Sequence, residues 1–191
     1  MIVLIVGLAL FFGVHSLAIV APGFRSRMLD RLGEGGWKGS YGIASLLGFA
    51  LIIIGFGLAR RTPAVLYLPP HWLKEVALIL MLPVFPLLVA AYLPGRIKTA
   101  AKYPMLAAVK FWAFAHLLAN GTLADVLLFG GFLAWAVADR ISFKRRPPQS
   151  LRAAAPGRWN DFIAVVVGLA VYGFFIGWAH LRLFGVSPLA G

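Results

Sequence analysis

The chain has no cysteine, and that absence closes off a good deal of chemistry. Disulfides, thiolate nucleophiles, cysteine-ligated zinc, iron–sulfur clusters and c-type haem attachment all need that residue. Acidic residues are scarce too: six Asp and Glu stand against eighteen Lys and Arg, a formal net charge of +12. Charged residues of both signs make up only 13% of the 191 positions, whereas 61% are apolar. A soluble domain carries about a quarter charged residues, so an ordinary water-soluble globule and a disordered chain are both excluded. Any metal must be held by histidine, carboxylate or neutral oxygen and sulfur ligands.

What is present is a series of apolar runs long enough for membrane helices, each of which needs about 20 residues to cross about 30 Å of hydrocarbon. They run from Ile2 to Ala21, Ser40 to Ala59, Leu73 to Leu93, Pro104 to Asn120-Gly121, Thr122 to Ala138 and Asp161 to Phe184. The first is too long for a signal peptide and is read as a true span. Pro83 and Pro86 predict a kink in the third, because each removes a helix hydrogen bond. Almost no loop separates the fourth and fifth, which are either a tight antiparallel hairpin, the favoured reading, or a pair that does not fully span. The expected fold is all-α, a polytopic bundle of about six transmembrane helices in a single membrane domain over residues 1–191.

The positive charge orients this bundle. Loop one carries Arg25, Arg27, Arg31 and Lys38; loop three carries Arg96, Lys98 and Lys102; loop five carries Arg140, Lys144, Arg145, Arg146, Arg152 and Arg158. Those three loops hold thirteen of the eighteen cations. By the positive-inside rule they are cytoplasmic and both termini lie outside. Cations placed between apolar runs meet anionic lipid, so membrane lipids rather than nucleic acid are the expected partners. The Lys144 to Arg158 stretch, with Pro147-Pro148, is the one linker-like segment.

Of four histidines, His71 falls in a loop and reads as a solvated residue, while His15, His116 and His180 fall within spans. Ionisable groups at membrane depth are costly and face the interior, pair, or serve function. Helical spacing surrounds His15 with Phe11, Phe12, Ala18 and Ile19, and His116 with Trp112, Ala113, Ala119 and Asn120. Aromatic and small residues together make a wall suited to a flat apolar macrocycle, and they also make ordinary membrane packing. Gly173 and Gly177 form GxxxG one turn before His180, which reads as close helix packing. Lys110 can snorkel towards the cytoplasmic side, Asn120 can cap its turn, and Asp125 suits the dipole of the fifth helix. No HExxH, nucleotide loop or catalytic triad can be assembled.

Phe12-Gly13-Val14-His15-Ser16, Ala21-Pro22-Gly23-Phe24-Arg25, Arg31 to Gly39 and, above all, Ala115-His116-Leu117-Leu118-Ala119-Asn120-Gly121 resemble the NnrU family of bacterial integral membrane proteins. That resemblance implies a place in denitrification, in nitrite and nitric oxide metabolism, in the bacterial inner membrane. The family is similar in turn to 15-cis-zeta-carotene isomerase, a membrane b-haem enzyme. Two of that enzyme's haem-ligating histidines match His15 and His116. The resemblance therefore implies haem b held by His15 and His116, with Phe11, Trp112 and Ala113 beside it and a redox partner or hydrophobic ligand outside. Ala113 stands where the isomerase has a cysteine, so the isomerase's ligand exchange is not carried over.

Electron transfer, sensing or redox catalysis at haem is the leading expectation. A haem-dependent cis–trans isomerase of a carotenoid or other polyene is one alternative. A cofactor-free transporter, with the kinked third helix and Lys110 along its path, is another. One tension attends the ligand pair. In the expected topology His15 and His116 are displaced in opposite directions, about 12 Å apart in height at about 1.5 Å per residue. His180 matches the level of His116 better and is the rival ligand.

Overall fold

The computed structural model describes residues 1–145 and 153–189. Each of the six apolar segments is helical in it. The helices are α1 (Ile2–Val20), α2 (Pro22–Ala59), α3 (Trp72–Met81), α4 (Val84–Tyr92), α5 (Arg96–Ala101), α6 (Pro104–Ala119), α7 (Leu123–Asp125), α8 (Gly131–Ser142), α9 (Asn160–Phe174) and α10 (His180–Phe184). π-helical turns at Val126–Gly130 and Phe175–Ala179 join α7 to α8 and α9 to α10. Four stretches are long and apolar enough to cross a membrane: Ile2–Val20, Pro22–Ala59, Trp72–Tyr92 and Asn160–Phe184. Pro104–Ala119 is a shorter apolar helix. The protein is an all-α, multi-pass membrane bundle whose outer helix faces touch lipid.

The residues group into two compact units, Met1–Leu66 with Thr122–Gly131, and Tyr67–Gly121 with the described residues from Phe132 onward. In the first, α1 and the second half of α2 pack antiparallel along a glycine seam. A Cβ on Gly7 would lie 2.7 Å from the Ile52 nitrogen, one on Gly48 2.9 Å from the Phe11 nitrogen, and one on Gly55 against the Leu4 backbone. Bare glycines let two backbones approach more closely than any side chain allows.

Loop one is corrected by this unit. Residues 22–32 continue as helix rather than loop, because Pro22 sits at the first helical position, where its missing N–H costs nothing. The break comes instead at Gly33, whose φ of 69° is a conformation that side chains disfavour. It turns the chain back so that residues 34–59 can run alongside α1.

In the second unit the kink expected in the third span falls between α3 and α4, at Leu82-Pro83. α4 packs on α9 and on α6, and α3 packs on α6. A Cβ on Gly168 would strike the Pro86 nitrogen, so glycine on α9 admits the proline of α4. The Tyr172 hydroxyl donates to the Leu78 carbonyl at 2.8 Å. The predicted hairpin is present as well. Tyr103 stacks on Phe143 at 4.5 Å and Trp112 meets Phe132 edge-on at 5.4 Å, the register of antiparallel helices.

The Gly173–Gly177 motif does not pack as expected. Among the described residues nothing lies within 4 Å of where either Cβ would be, and Gly168 makes the close contact instead.

Candidate haem-ligating histidines

His15 lies on α1 in the first unit, half-buried. Its Nδ1 is 2.7 Å from the carbonyl oxygen of Phe11, one helical turn back. A carbonyl only accepts, so the ring carries its proton on Nδ1, and in the neutral imidazole Nε2 holds the lone pair. The imidazole stacks on the Phe11 ring, centroids 4.0 Å apart and 23° from parallel, and the Tyr41 ring lies 5.4 Å away. The glycine seam sets this arrangement, since Phe11 is the residue whose backbone rests on Gly48.

His116 lies near the end of α6 in the second unit and repeats the pattern. Its Nδ1 is 2.8 Å from the Trp112 carbonyl, again four residues back, and the two rings stand 5.3 Å apart. The tautomer is fixed as in His15, with the lone pair on Nε2. Trp112 is held in turn by its edge contact with Phe132. Ala113 is fully buried.

The end of this helix is tied by polar groups. The backbone N–H and side-chain Nδ2 of Asn120 both donate to the His116 carbonyl, at 3.0 and 2.9 Å. The Tyr67 hydroxyl reaches the carbonyls of Leu117 and Asn120. Tyr67 also donates its own N–H to Gly121, where a Cβ would collide with the Tyr67 carbonyl. The last carbonyls of a helix lack internal partners, so these donors keep the turn carrying His116 from fraying. In the first unit, Thr122 and Asp125 form a capping box, with Asp125 Oδ2 accepting from the Thr122 N–H at 3.0 Å and its hydroxyl at 2.6 Å. Asn120 as a cap and Asp125 at a helix start are the roles expected from sequence. Replacing Asn120 by leucine should lower stability by about 1 kcal/mol or more. Thermal unfolding in detergent checks this; an unchanged midpoint would leave the side-chain bond without energetic weight.

His180 differs. It follows the π turn, and its Nδ1 lies 2.7 Å from the carbonyl of Val186, beyond the helix. Gly185, at φ 71°, folds the chain back to make that contact. The bond gives His180 a helix-closing task. His71 is exposed at the start of α3, as a solvated loop histidine should be.

Sequence reasoning missed Tyr41 and Tyr67. The signal for Tyr41 was its place at the head of the second apolar run, which an antiparallel hairpin returns towards His15. Tyr67 lies in a loop, and only the tertiary pairing of that loop with residues 120–122 reveals it. Among the described residues no three His, Asp or Glu side chains gather as metal ligands. A haem iron takes one or two protein ligands rather than three, and a ring protonated on Nδ1, as each of these is, offers Nε2 as a donor atom.

No curated protein and no solved structure matches the chain. The NnrU protein family does, over residues 3–188, and the chain belongs to it.

Proposed function

We propose that this NnrU protein is a b-type haem protein of the bacterial inner membrane, in which the imidazoles of His15 and His116 would hold the haem. The observation that carries the reading is their shared geometry: each Nδ1–H donates to the carbonyl four residues earlier, at 2.7 and 2.8 Å. Second hydrogen bonds of that kind fix the tautomer and orientation of ligating histidines and raise the basicity of the other nitrogen. Phe11 and Trp112 supply aromatic surface beside each ring.

When bound, haem b supplies a one-electron centre whose potential follows its axial ligands and the dryness of its surroundings. The chain's own contribution is to orient both imidazoles through their Nδ1–H bonds to the preceding helical turn. Membership of the NnrU family supports a role in or near nitrite and nitric oxide metabolism, by electron transfer, sensing or redox catalysis. Whether the protein purifies from membranes with stoichiometric haem is the test of this reading.

The same proposal places both termini outside the cytoplasm, on the strength of the thirteen cations in alternate loops. A reporter fused at Gly191, which lies outside the described residues, should be active if it requires export and silent if it requires the cytoplasm. The reverse pattern would invert the topology.

A further inference from the structure

At one end of the antiparallel α4–α9 pair, the chain leaving α4 and the chain entering α9 enclose an open groove of about 970 Å³. Its lining includes Gly95, Arg96, Lys98 and Thr99 from one side and Gly157 and Arg158 from the other. The two walls are bolted together. Asp161 accepts the backbone N–H groups of Arg96 and Ile97 at 2.8 and 3.0 Å, and Asn160 Nδ2 donates to the Pro94 carbonyl at 2.8 Å. A Cβ on Gly95 would collide with the Asp161 carboxylate, so the closeness of the walls depends on that glycine.

This arrangement engages the Asp161 carboxylate on backbone donors. No carboxylate among the described residues pairs with the Arg96 or Arg158 guanidinium. Lys98 reaches back to the Ala91 carbonyl at 2.8 Å, leaving its charge beside the groove. Beside the groove, Trp159, 57% exposed, lies under the Arg158 guanidinium at 4.9 Å, and Phe162, 62% exposed, meets the Trp159 ring edge-on at 6.1 Å. Trp159 is the N-cap and Phe162 lies in the first turn of a helix long and apolar enough to span the membrane, the level at which amphipathic rings anchor in the headgroup region.

Cations arrayed in a groove at a span's end, beside exposed aromatics at headgroup depth, fit one kind of occupant. We infer that this groove binds the headgroup of an anionic phospholipid from the adjoining leaflet, with Arg96 and Arg158 on its phosphate and Trp159 and Phe162 against its upper acyl chain. Basic pockets between spans recognise anionic headgroups by the same chemistry. The inference stands apart from the haem reading, since none of these residues belongs to it.

The test titrates the purified full chain in neutral detergent with phosphatidylglycerol, phosphatidylcholine or inorganic phosphate, and counts bound molecules by native mass spectrometry. Phosphatidylglycerol should bind in preference to phosphatidylcholine, and phosphate alone should not displace it. Arg96→Gln and Arg158→Gln should each weaken phosphatidylglycerol about fivefold, the contribution of one basic residue near an anionic surface. Lys144→Gln, an exposed cation outside the groove, should leave binding unchanged, and Arg158→Lys should retain it even if a glutamine variant folds poorly. Equal binding of the two lipids, displacement by phosphate, or an equal loss in Lys144→Gln would overturn the assignment.

Discussion

Replacing His116 by alanine should abolish low-spin haem in the purified protein, and replacing His15 should do the same. On the proposed reading each substitution removes one of the two imidazoles that would hold the haem, so the expected result is loss of the six-coordinate spectrum rather than a graded decline. His180→Ala is the informative comparison. Its ring is engaged with the Val186 carbonyl at the end of α10, so its removal should cost stability while haem content stays near that of the parent. Haem-to-protein ratios and reduced-minus-oxidised spectra of the three variants provide the measurement. Loss of the low-spin signal in His180→Ala, with His15→Ala unaffected, would move the second ligand from α1 to α10.

Gly55→Leu should be the most damaging single change in the first unit. The new side chain would have to occupy space held by the backbone of Leu4 and the Val3 carbonyl carbon, the latter 2.7 Å from where its Cβ would stand. Backbone cannot yield as a flexible side chain does, so α1 and α2 must separate. Overpacking of this kind costs about 1–3 kcal/mol, and loss of the contacts along the seam adds to it. Leu4, fully buried in that seam, would lose its enclosure. The effect should reach His15, because the Phe11 backbone seats on Gly48 in the same seam. A lowered unfolding temperature together with reduced haem content is the expected outcome. Gly57→Leu serves as the control, since nothing lies within 4 Å of its Cβ position. Equal stability of the two variants would show that the seam does not hold the hairpin.

Much of this architecture can be read from residue order, because membrane helices announce themselves by length and apolarity. Pro83 could be placed at a kink because a missing N–H acts locally. Asn120 and Asp125 could be given capping roles for the same reason: their partners lie within four residues. Residues 22–32 were harder, since Pro-Gly and clustered arginines usually mark a loop. A proline at the first helical position is harmless, and the real interruption is the positive φ of Gly33. Glycine spacing misled in the other direction. Gly173 and Gly177 share a helix face, but a face says nothing of whether a neighbour lies on it. The packing glycines proved to be Gly7, Gly48, Gly55 and Gly168, separated along the chain and joined only by the fold. Tyr41 and Tyr67 belong to the same class, with partners that are remote in sequence.

The candidate histidines themselves were legible because a titratable ring in an apolar helix is conspicuous. Their hydrogen bonds to Phe11 and Trp112 are the structural addition, and they give both rings one tautomer. That shared tautomer is the physical core of the haem proposal, and it leads to one direct measurement. The parent protein, purified in detergent and reduced, should show a Soret band with the sharp α and β bands of low-spin haem if His15 and His116 both hold it. A chain that purifies without a Soret band, or whose reduced spectrum is that of five-coordinate high-spin haem, would contradict bis-histidine ligation by His15 and His116.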